Sequence, residues 1–333
     1  MSDSTNRRTQ FTFRRGLTLV ELMVSITVIG ILVSLLMTGV FGAIESSRRL
    51  TCQNNIRQVG LALGNYAATF SHFPSSLTSG THFSTRQGMY HFGPHVHLLP
   101  YFDLGWGSID LHAEASMSIQ LFRERDVSVY RCPSDFFDRK LSINYFTNQG
   151  AVAHLVYQDE EGWGPFVRGK ALPTAMVTDG LTHTVSFSER LQGSDAENGQ
   201  PWPSRNGKRN RDPYYLASEL APEMHQINAW TRACSQNYSS ESVFYRVDSG
   251  VYYWDQFHNF YNHILAPNST VFDCIDRNSG PDYGLKSARS LHLGGVQALY
   301  CDGHVSFISD SINFMTWRAV GTASDAEIIR VDE

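Results

Sequence analysis

Two groups of histidines carry residue types that could hold a metal or move a proton. The first is His91, His95 and His97 in HFGPHVHLLP. On a strand, His95 and His97 share a face, and neutral imidazoles are common zinc ligands. No neighbouring acid or cysteine completes a set, so aromatic-like packing is the expectation. The second group is His292, Asp302 and His304 in SLHLGGVQALYCDGHVSF. A hairpin turn at Asp302-Gly303 draws their segments together. Even so, His292 is expected to hydrogen-bond the Gly294-Gly295 turn, and Asp302 is explained by turn formation.

Other candidates are weaker. The run from Gly164 to Lys170 has phosphate-loop spacing, but Ala171 replaces the magnesium-binding hydroxyl and Pro165 interrupts the loop. The acidic stretches PSD, TDG and FDCIDRNSGPD do not assemble the several oxygens that a hard cation needs. Glu189-Arg190 reads as a strand-end ion pair, and RNGKRNRD as a solvated loop. The five cysteines Cys52, Cys132, Cys234, Cys274 and Cys301 contain no C-x-x-C pair. Their odd number leaves at least one outside any intramolecular bridge, and the pairing is not readable from spacing. No nucleophile motif appears, and no cofactor is implied.

One acid stands where a plain anchor would not have it. In FRRGLTLVELMVSITVIGILVSLLMTGV, Glu21 lies at the start of an apolar run, and residues 22–44 carry no charge. About 20 apolar helical residues cross a hydrocarbon core, so the run predicts a membrane span. It exceeds the apolar core of a cleaved secretory signal. Arg7, Arg8, Arg14 and Arg15 precede it, which puts the N-terminal end in the cytoplasm and the rest on the other side. A carboxylate within a membrane costs on the order of 2.5–3.5 kcal/mol near the bilayer centre and less near an interface. Glu21 therefore calls for a cationic partner.

These residues must be positioned by a small number of elements. Cys52, Ile56, Val59, Leu63, Tyr66 and Phe70 recur at spacings of four and three, the stripe of an amphipathic helix that SHFPSS then ends. A helix from Leu17 to about Phe70 would be roughly 80 Å long. Gly39 and Gly42 are expected to loosen it. Beyond it, HTVSFSE, SVFYRV, GVYYW and VQALY alternate with turns. They predict a large, mainly antiparallel β head with long loops, and hence an α+β class. HAEASMSIQLFRE reads as a short helix. Asp302-Gly303 reads as a two-residue hairpin turn. That register sets Tyr300 opposite Val305 and Ala298 opposite Phe307. Val296, Ala298, Tyr300, Val305 and Phe307 then share the core face.

RRGLTLVELMVSITVIGILVSLL resembles the leader of type IV prepilins and type II secretion pseudopilins. The resemblance implies that Gly16 ends the leader and that a membrane prepilin peptidase cuts Gly16–Leu17. Leu17 would then be N-methylated, and Glu21 would pair with the new amine of an adjacent subunit. Leu17 stands where most members have Phe or Met, and Thr38 where many have Pro. The chain also resembles a large bacterial family of prepilin-like proteins of unknown function with a C-terminal H-x(9)-D-G motif. Here the motif is His292 followed by Asp302-Gly303. The resemblance runs through CQNNIRQVGLALGNYAATFSHFP, HLLPYFD, YRCPSD, TDGLTHTVSFSER and FISDSINFMTWRAVGT. Residues 191–288 match none of its blocks.

The expected organisation follows. Residues 1–16 form a cytoplasmic basic leader, 17–44 the membrane half of a helix, 45–70 its amphipathic half, and 71–333 an extracytoplasmic head. The leading expectation is a non-enzymatic pilin-like subunit of the inner membrane, whose partners are the prepilin peptidase and other pilin-like subunits. Two rival readings are a tethered binding module, suggested by residues 191–288, and a membrane-anchored metal-dependent hydrolase using the histidines. A net charge of −5 without a long basic tract argues against nucleic acid as a partner.

Overall fold

The computed structural model describes residues 18–75, 93–102, 126–135, 142–153, 162–166, 171–192, 214–217, 220–221, 227–237, 259–276 and 284–324. The chain divides into two compact units, Met1–Ser47 and Arg48–Glu333.

In the first unit the described residues belong almost entirely to helix α1 (Leu19–Phe70). Its apolar side chains from Leu19 to Phe41 are all about half or more exposed. The most apolar 18-residue window has a mean hydropathy of 2.5 and none of it is buried. Burying that surface in hydrocarbon rather than water is what would stabilise it. Three polar side chains are satisfied within the helix. Ser25 Oγ donates to the Glu21 carbonyl at 2.7 Å, Thr27 Oγ1 to Met23 at 2.7 Å and Ser34 Oγ to Ile31 at 2.8 Å. Such back-bonding removes bare hydroxyls that a lipid environment would penalise. The helix runs unbroken through Thr38, Gly39 and Gly42.

In the second unit α1 presents the expected stripe. Cys52, Ile56, Val59, Leu63 and Tyr66 are buried, joined by Ala62, whereas Phe70 is half exposed and stacks near Tyr66 and His72. Ser71 then takes a left-handed backbone (φ 60°), its N–H closing on the Ala67 carbonyl at 2.8 Å, and the helix stops.

A five-stranded sheet orders β4 (Phe260–Tyr261), β1 (Tyr145–Asn148), β2 (Val185–Glu189), β7 (Gly295–Tyr300) and β8 (Val305–Ser309). It is antiparallel except for the β1–β4 pair. A smaller sheet orders β3 (Tyr214–Leu216), β5 (Cys274–Asp276) and β6 (Gly284–Leu285), with β3 and β5 parallel. Short helices α2 (Pro94–Leu98), α3 (Ile227–Gln236) and α4 (Phe314–Ala319), with 3-10 turns at Leu99–Tyr101, Ser128–Tyr130 and Thr174–Met176, complete the described elements. The class is α+β with an N-terminal helix, as its sequence implies. β1, β2 and β7 are buried along their whole length. Both of their faces are covered, so Asn148, Glu189 and Gln297 are buried along with the apolar residues.

The β7–β8 turn differs from the two-residue expectation. Tyr300 N–H donates to the His304 carbonyl at 2.9 Å and Gly303 N–H to Tyr300 at 3.0 Å, so three residues, Cys301 to Gly303, make the loop. Gly303 holds φ +93°, the left-handed position that completes such a loop. The register moves by one: Leu299 opposes Val305, and Ala298 opposes Ser306 rather than Phe307. A one-residue shift exchanges faces. Phe307 therefore opposes Gln297, and the five residues expected to share one face do not.

This turn also abuts α1. A Cβ on Gly60 would lie 2.6 Å from Leu299 Cδ1 and 3.2 Å from the Gly303 carbonyl. The close approach of helix and turn explains a glycine in mid-helix, where it ordinarily costs about 1 kcal/mol relative to alanine.

Cys52 and Cys132 form one disulfide and Cys234 and Cys274 another, leaving Cys301 free and buried. The first joins α1 to the segment before β1. The second joins α3 to β5 of the smaller sheet.

Candidate functional site

Glu21 is held by its own helix start. Its Oε2 accepts from Thr18 N–H at 2.9 Å and from Thr18 Oγ1 at 2.8 Å, while Glu21 N–H donates to Thr18 Oγ1 at 3.3 Å. This is a reciprocal capping box, which satisfies helix-end donors and sets an acid against the positive end of the helix dipole. Thr18-Leu19-Val20-Glu21 carries the T-x-x-E signature that predicts it, a signal left unread when only side-chain cations are sought for Glu21. Gly16 and Leu17 lie outside the described residues.

The two histidine groups lie in different settings. His91 lies outside the described residues. His95 and His97 lie on α2, not on a strand, because Pro94 opens a helical turn there. His95 is fully buried, edge-on to Tyr130 and Phe187, with Nε2 2.7 Å from the Tyr145 carbonyl. A carbonyl only accepts, so Nε2 carries the hydrogen. Packing, rather than metal binding, accounts for it.

The H-x(9)-D-G residues do not converge on one another. β7 stands between His292 and Asp302, and its length alone is about 17 Å. Asp302 Oδ1 instead accepts from His304 N–H at 3.0 Å and lies 2.6 Å from His304 Nδ1, while its own N–H donates to Leu181. Asp302 and Gly303 thus build the hairpin end that meets α1.

His292 sits at the other end of β7 in a buried cluster. Its Nε2 is 3.3 Å from Glu189 Oε1 and 3.4 Å from Cys132 Sγ. Its backbone N–H donates to Ser290 Oγ at 3.0 Å. The expected role of orienting the double-glycine turn is replaced, for Nε2, by contact with Glu189 and the Cys52–Cys132 bridge. Donor atoms of Cys52, Cys132, Glu189 and His292 all lie within 4.8 Å of one another, and all four residues are buried. Sequence spacing hides this group, since Cys52, Cys132, Glu189 and His292 come from α1, a loop, β2 and the β7 approach.

Glu189 and Arg190 are not an ion pair with each other. Successive strand residues point to opposite faces. Glu189 Oε2 accepts from Gln297 N–H at 2.8 Å on one side. On the other, Arg190 reaches Asp273, whose carboxylate also takes Arg289, each at 2.8 Å. Ser287 Oγ donates to Asp273 as well, at 2.7 Å. Burial pushes the Asp273 carboxyl up, but Arg289, Arg190 and the hydrogen bonds from Arg289 and Ser287 together hold it below the usual carboxylate range.

A second buried histidine, His263, is matched on both ring nitrogens. Nδ1 lies 2.7 Å from the Trp317 carbonyl and Nε2 2.9 Å from Tyr261 Oη, with the ring stacked on Trp317 at 3.8 Å. Nδ1 must carry the hydrogen, so Nε2 accepts from the tyrosine, and a second proton would break that bond. Burial lowers His95 to about 4 and His263 to about 3, against the raising effect of their carbonyl partners.

Because unfolded histidine titrates near 6.5, the unfolded chain binds protons first as pH falls. Stability is then full above pH 6.5 and lost as pH falls from there to about 4 for His95 and about 3 for His263, on the order of 3 kcal/mol or more for each residue. Thermal unfolding of the full chain from pH 7 to 4 is expected to show this slope. A flat profile would remove the argument.

Comparisons with known proteins agree with this picture at the N-terminus and over the second unit. A family model described as a prokaryotic N-terminal methylation motif matches residues 12–37. Another, described as a protein of unknown function, DUF1559, matches residues 43–315. No curated protein and no solved structure matches the chain. The motif on an apolar helix makes this a prepilin-like, membrane-anchored protein of the kind that a prepilin peptidase processes. With that match spanning most of its length, the chain belongs to the DUF1559 family of proteins of unknown function.

Proposed function

We propose that the chain is a non-enzymatic, pilin-like structural subunit of a type IV pilus or type II secretion-like assembly. The prepilin peptidase cuts Gly16–Leu17 and the new terminus is N-methylated. The four arginines before the span keep that end cytoplasmic, and residues 71–333 form the head outside the inner membrane. The observation that supports this best is the exposed apolar helix with a single acid at its start.

Glu21 has two roles in this reading. In a lone chain it caps its own helix through Thr18. In an assembly the methylated amine of a neighbouring Leu17 approaches at similar depth. The ion pair offsets the cost of holding a carboxylate in low dielectric better than the cap alone.

Mass spectrometry of the mature N-terminus tests processing. The expected result is a chain beginning at methylated Leu17 in cells with active peptidase. An intact Met1 start in those cells would sink the proposal. Cross-linking in the membrane separates subunit from tethered binding module: neighbouring helices linked through α1 are expected, and monomers alone would favour the module.

A further inference from the structure

We infer that Cys52, Cys132, Glu189 and His292 form a redox-gated zinc site, a disulfide when oxidised and a tetrahedral metal centre when reduced. This goes beyond assembly and does not depend on it. Three observations carry it.

The first is composition. Two sulfurs, one imidazole and one carboxylate, all buried, lie within 4.8 Å of one another. Four such donors close a structural zinc site with no position left open. The second is spacing. In a tetrahedral zinc site neighbouring N and O donors are about 3.3 Å apart, and N and S donors about 3.5 Å. His292 Nε2 lies 3.3 Å from Glu189 Oε1 and 3.4 Å from Cys132 Sγ. The third is an unspent acceptor. Among the described residues Glu189 Oε1 accepts no hydrogen bond, although its carboxylate is 2 % exposed. A buried carboxylate oxygen facing an imidazole and two sulfurs suits a cation better than a disulfide. Its other oxygen is fixed by Gln297 N–H at 2.8 Å, which orients the group as supporting hydrogen bonds orient metal ligands.

Access exists from one side. Cys132 lines a cavity of about 470 Å³ together with Thr51, Asn55, Arg131, Asp135 and Gln192. This is the side from which reductant and metal would approach the bridge.

The chemistry balances with a dithiol as reductant. Its thiolate attacks the Cys52–Cys132 bond, and its second thiol completes the exchange. The dithiol is oxidised to a disulfide, and Cys52 and Cys132 each gain a hydrogen. Zinc then binds the two sulfurs as thiolates and two protons leave to solvent. Two thiolates on one zinc stand about 3.7 Å apart, so the sulfurs separate on reduction. Reoxidation by a disulfide reverses both steps and releases the metal.

The test uses the full chain in detergent, reduced anaerobically with a phosphine and titrated with cobalt(II). A Cys234→Ser/Cys274→Ser/Cys301→Ser background removes the other thiols. The expected result is one cobalt per chain with thiolate-to-cobalt charge-transfer and tetrahedral ligand-field bands. Zinc displaces it, and an added disulfide releases it. Glu189→Gln and His292→Gln each weaken binding by more than the roughly 10–100-fold lost with a supporting residue. Any of three results would overturn the inference. The bridge resists reduction in the folded chain. The two thiols, shown free by alkylation, take up no metal. Or the bands persist in Cys52→Ser/Cys132→Ser.

Discussion

Asp273→Ala is expected to destabilise the second unit by about 3–5 kcal/mol, because two buried arginines lose the carboxylate they share. The carboxylate and both guanidinium groups are essentially without solvent contact. Each arginine has further carbonyl partners: Arg190 donates to Ser287, and Arg289 to Ser269 and Val271. Those bonds satisfy N–H groups but do not neutralise charge. The variant takes from both guanidinium groups the counter-charge they share in a low-dielectric core, which costs far more than one lost hydrogen bond.

Thermal unfolding of the full chain in detergent should fall by roughly 6–20 °C for that loss. Ser287→Ala provides the scale, since it removes one hydrogen bond and leaves the charges paired, for about 1 kcal/mol. Equal melting of the two variants would refute the charge argument.

The pH dependence separates this group from the histidines. The Asp273 carboxyl titrates below its ordinary 3.8, so its stabilisation is complete above that value and lost as pH falls through the folded-state value. Asp273→Ala should abolish that acid limb and keep the slope between pH 6.5 and about 4 that His95 and His263 produce.

Glu21→Ala is the second large effect. On the proposed reading it should reduce incorporation into an assembly by at least tenfold while leaving cleavage at Gly16–Leu17 near normal. Tenfold corresponds to about 1.4 kcal/mol, well within what an ion pair in low dielectric supplies per contact. The Thr18–Glu21 cap provides the control. Thr18→Ala removes the hydroxyl that both accepts from and donates to Glu21, and costs about 1 kcal/mol of helix start. It retains the carboxylate, so assembly should survive. Normal incorporation of Glu21→Ala, measured by cross-linking or filament recovery, would contradict the pairing. Equal loss in both variants would assign Glu21 to capping alone.

Legibility in the sequence followed the range of the interactions. The α1 stripe was readable because helical neighbours are three and four residues apart, and five of its six expected residues are buried. Strands β2 and β7 were readable as short β-like runs between turns. The β7–β8 hairpin was recognisable from Asp302-Gly303, but its register was not, since a two- and a three-residue loop place the same Gly differently. α3, inside the stretch that matched no family block, has a ten-residue amphipathic pattern that was there to be found. The His292 cluster was out of reach: its four members span residues 52 to 292, and only folding makes them neighbours. The Asp273–Arg190–Arg289 group was hidden for the same reason. The neighbouring Glu189-Arg190 pair suggested a local bond that strand alternation forbids.

The bridge between Cys52 and Cys132 has a mechanical meaning. Any tension that enters along α1 from its N-terminal side meets Cys52 at the fifth residue of the second unit. From there the force passes by a covalent bond to the strand β1 region, and the buried stripe from Ile56 to Tyr66 is shielded from shear. A subunit built this way would yield at its lipid or neighbour contacts before its head peels from the helix. On the proposed reading, failure of a fibre under load would therefore fall between subunits, where it can be reversed, and not within them.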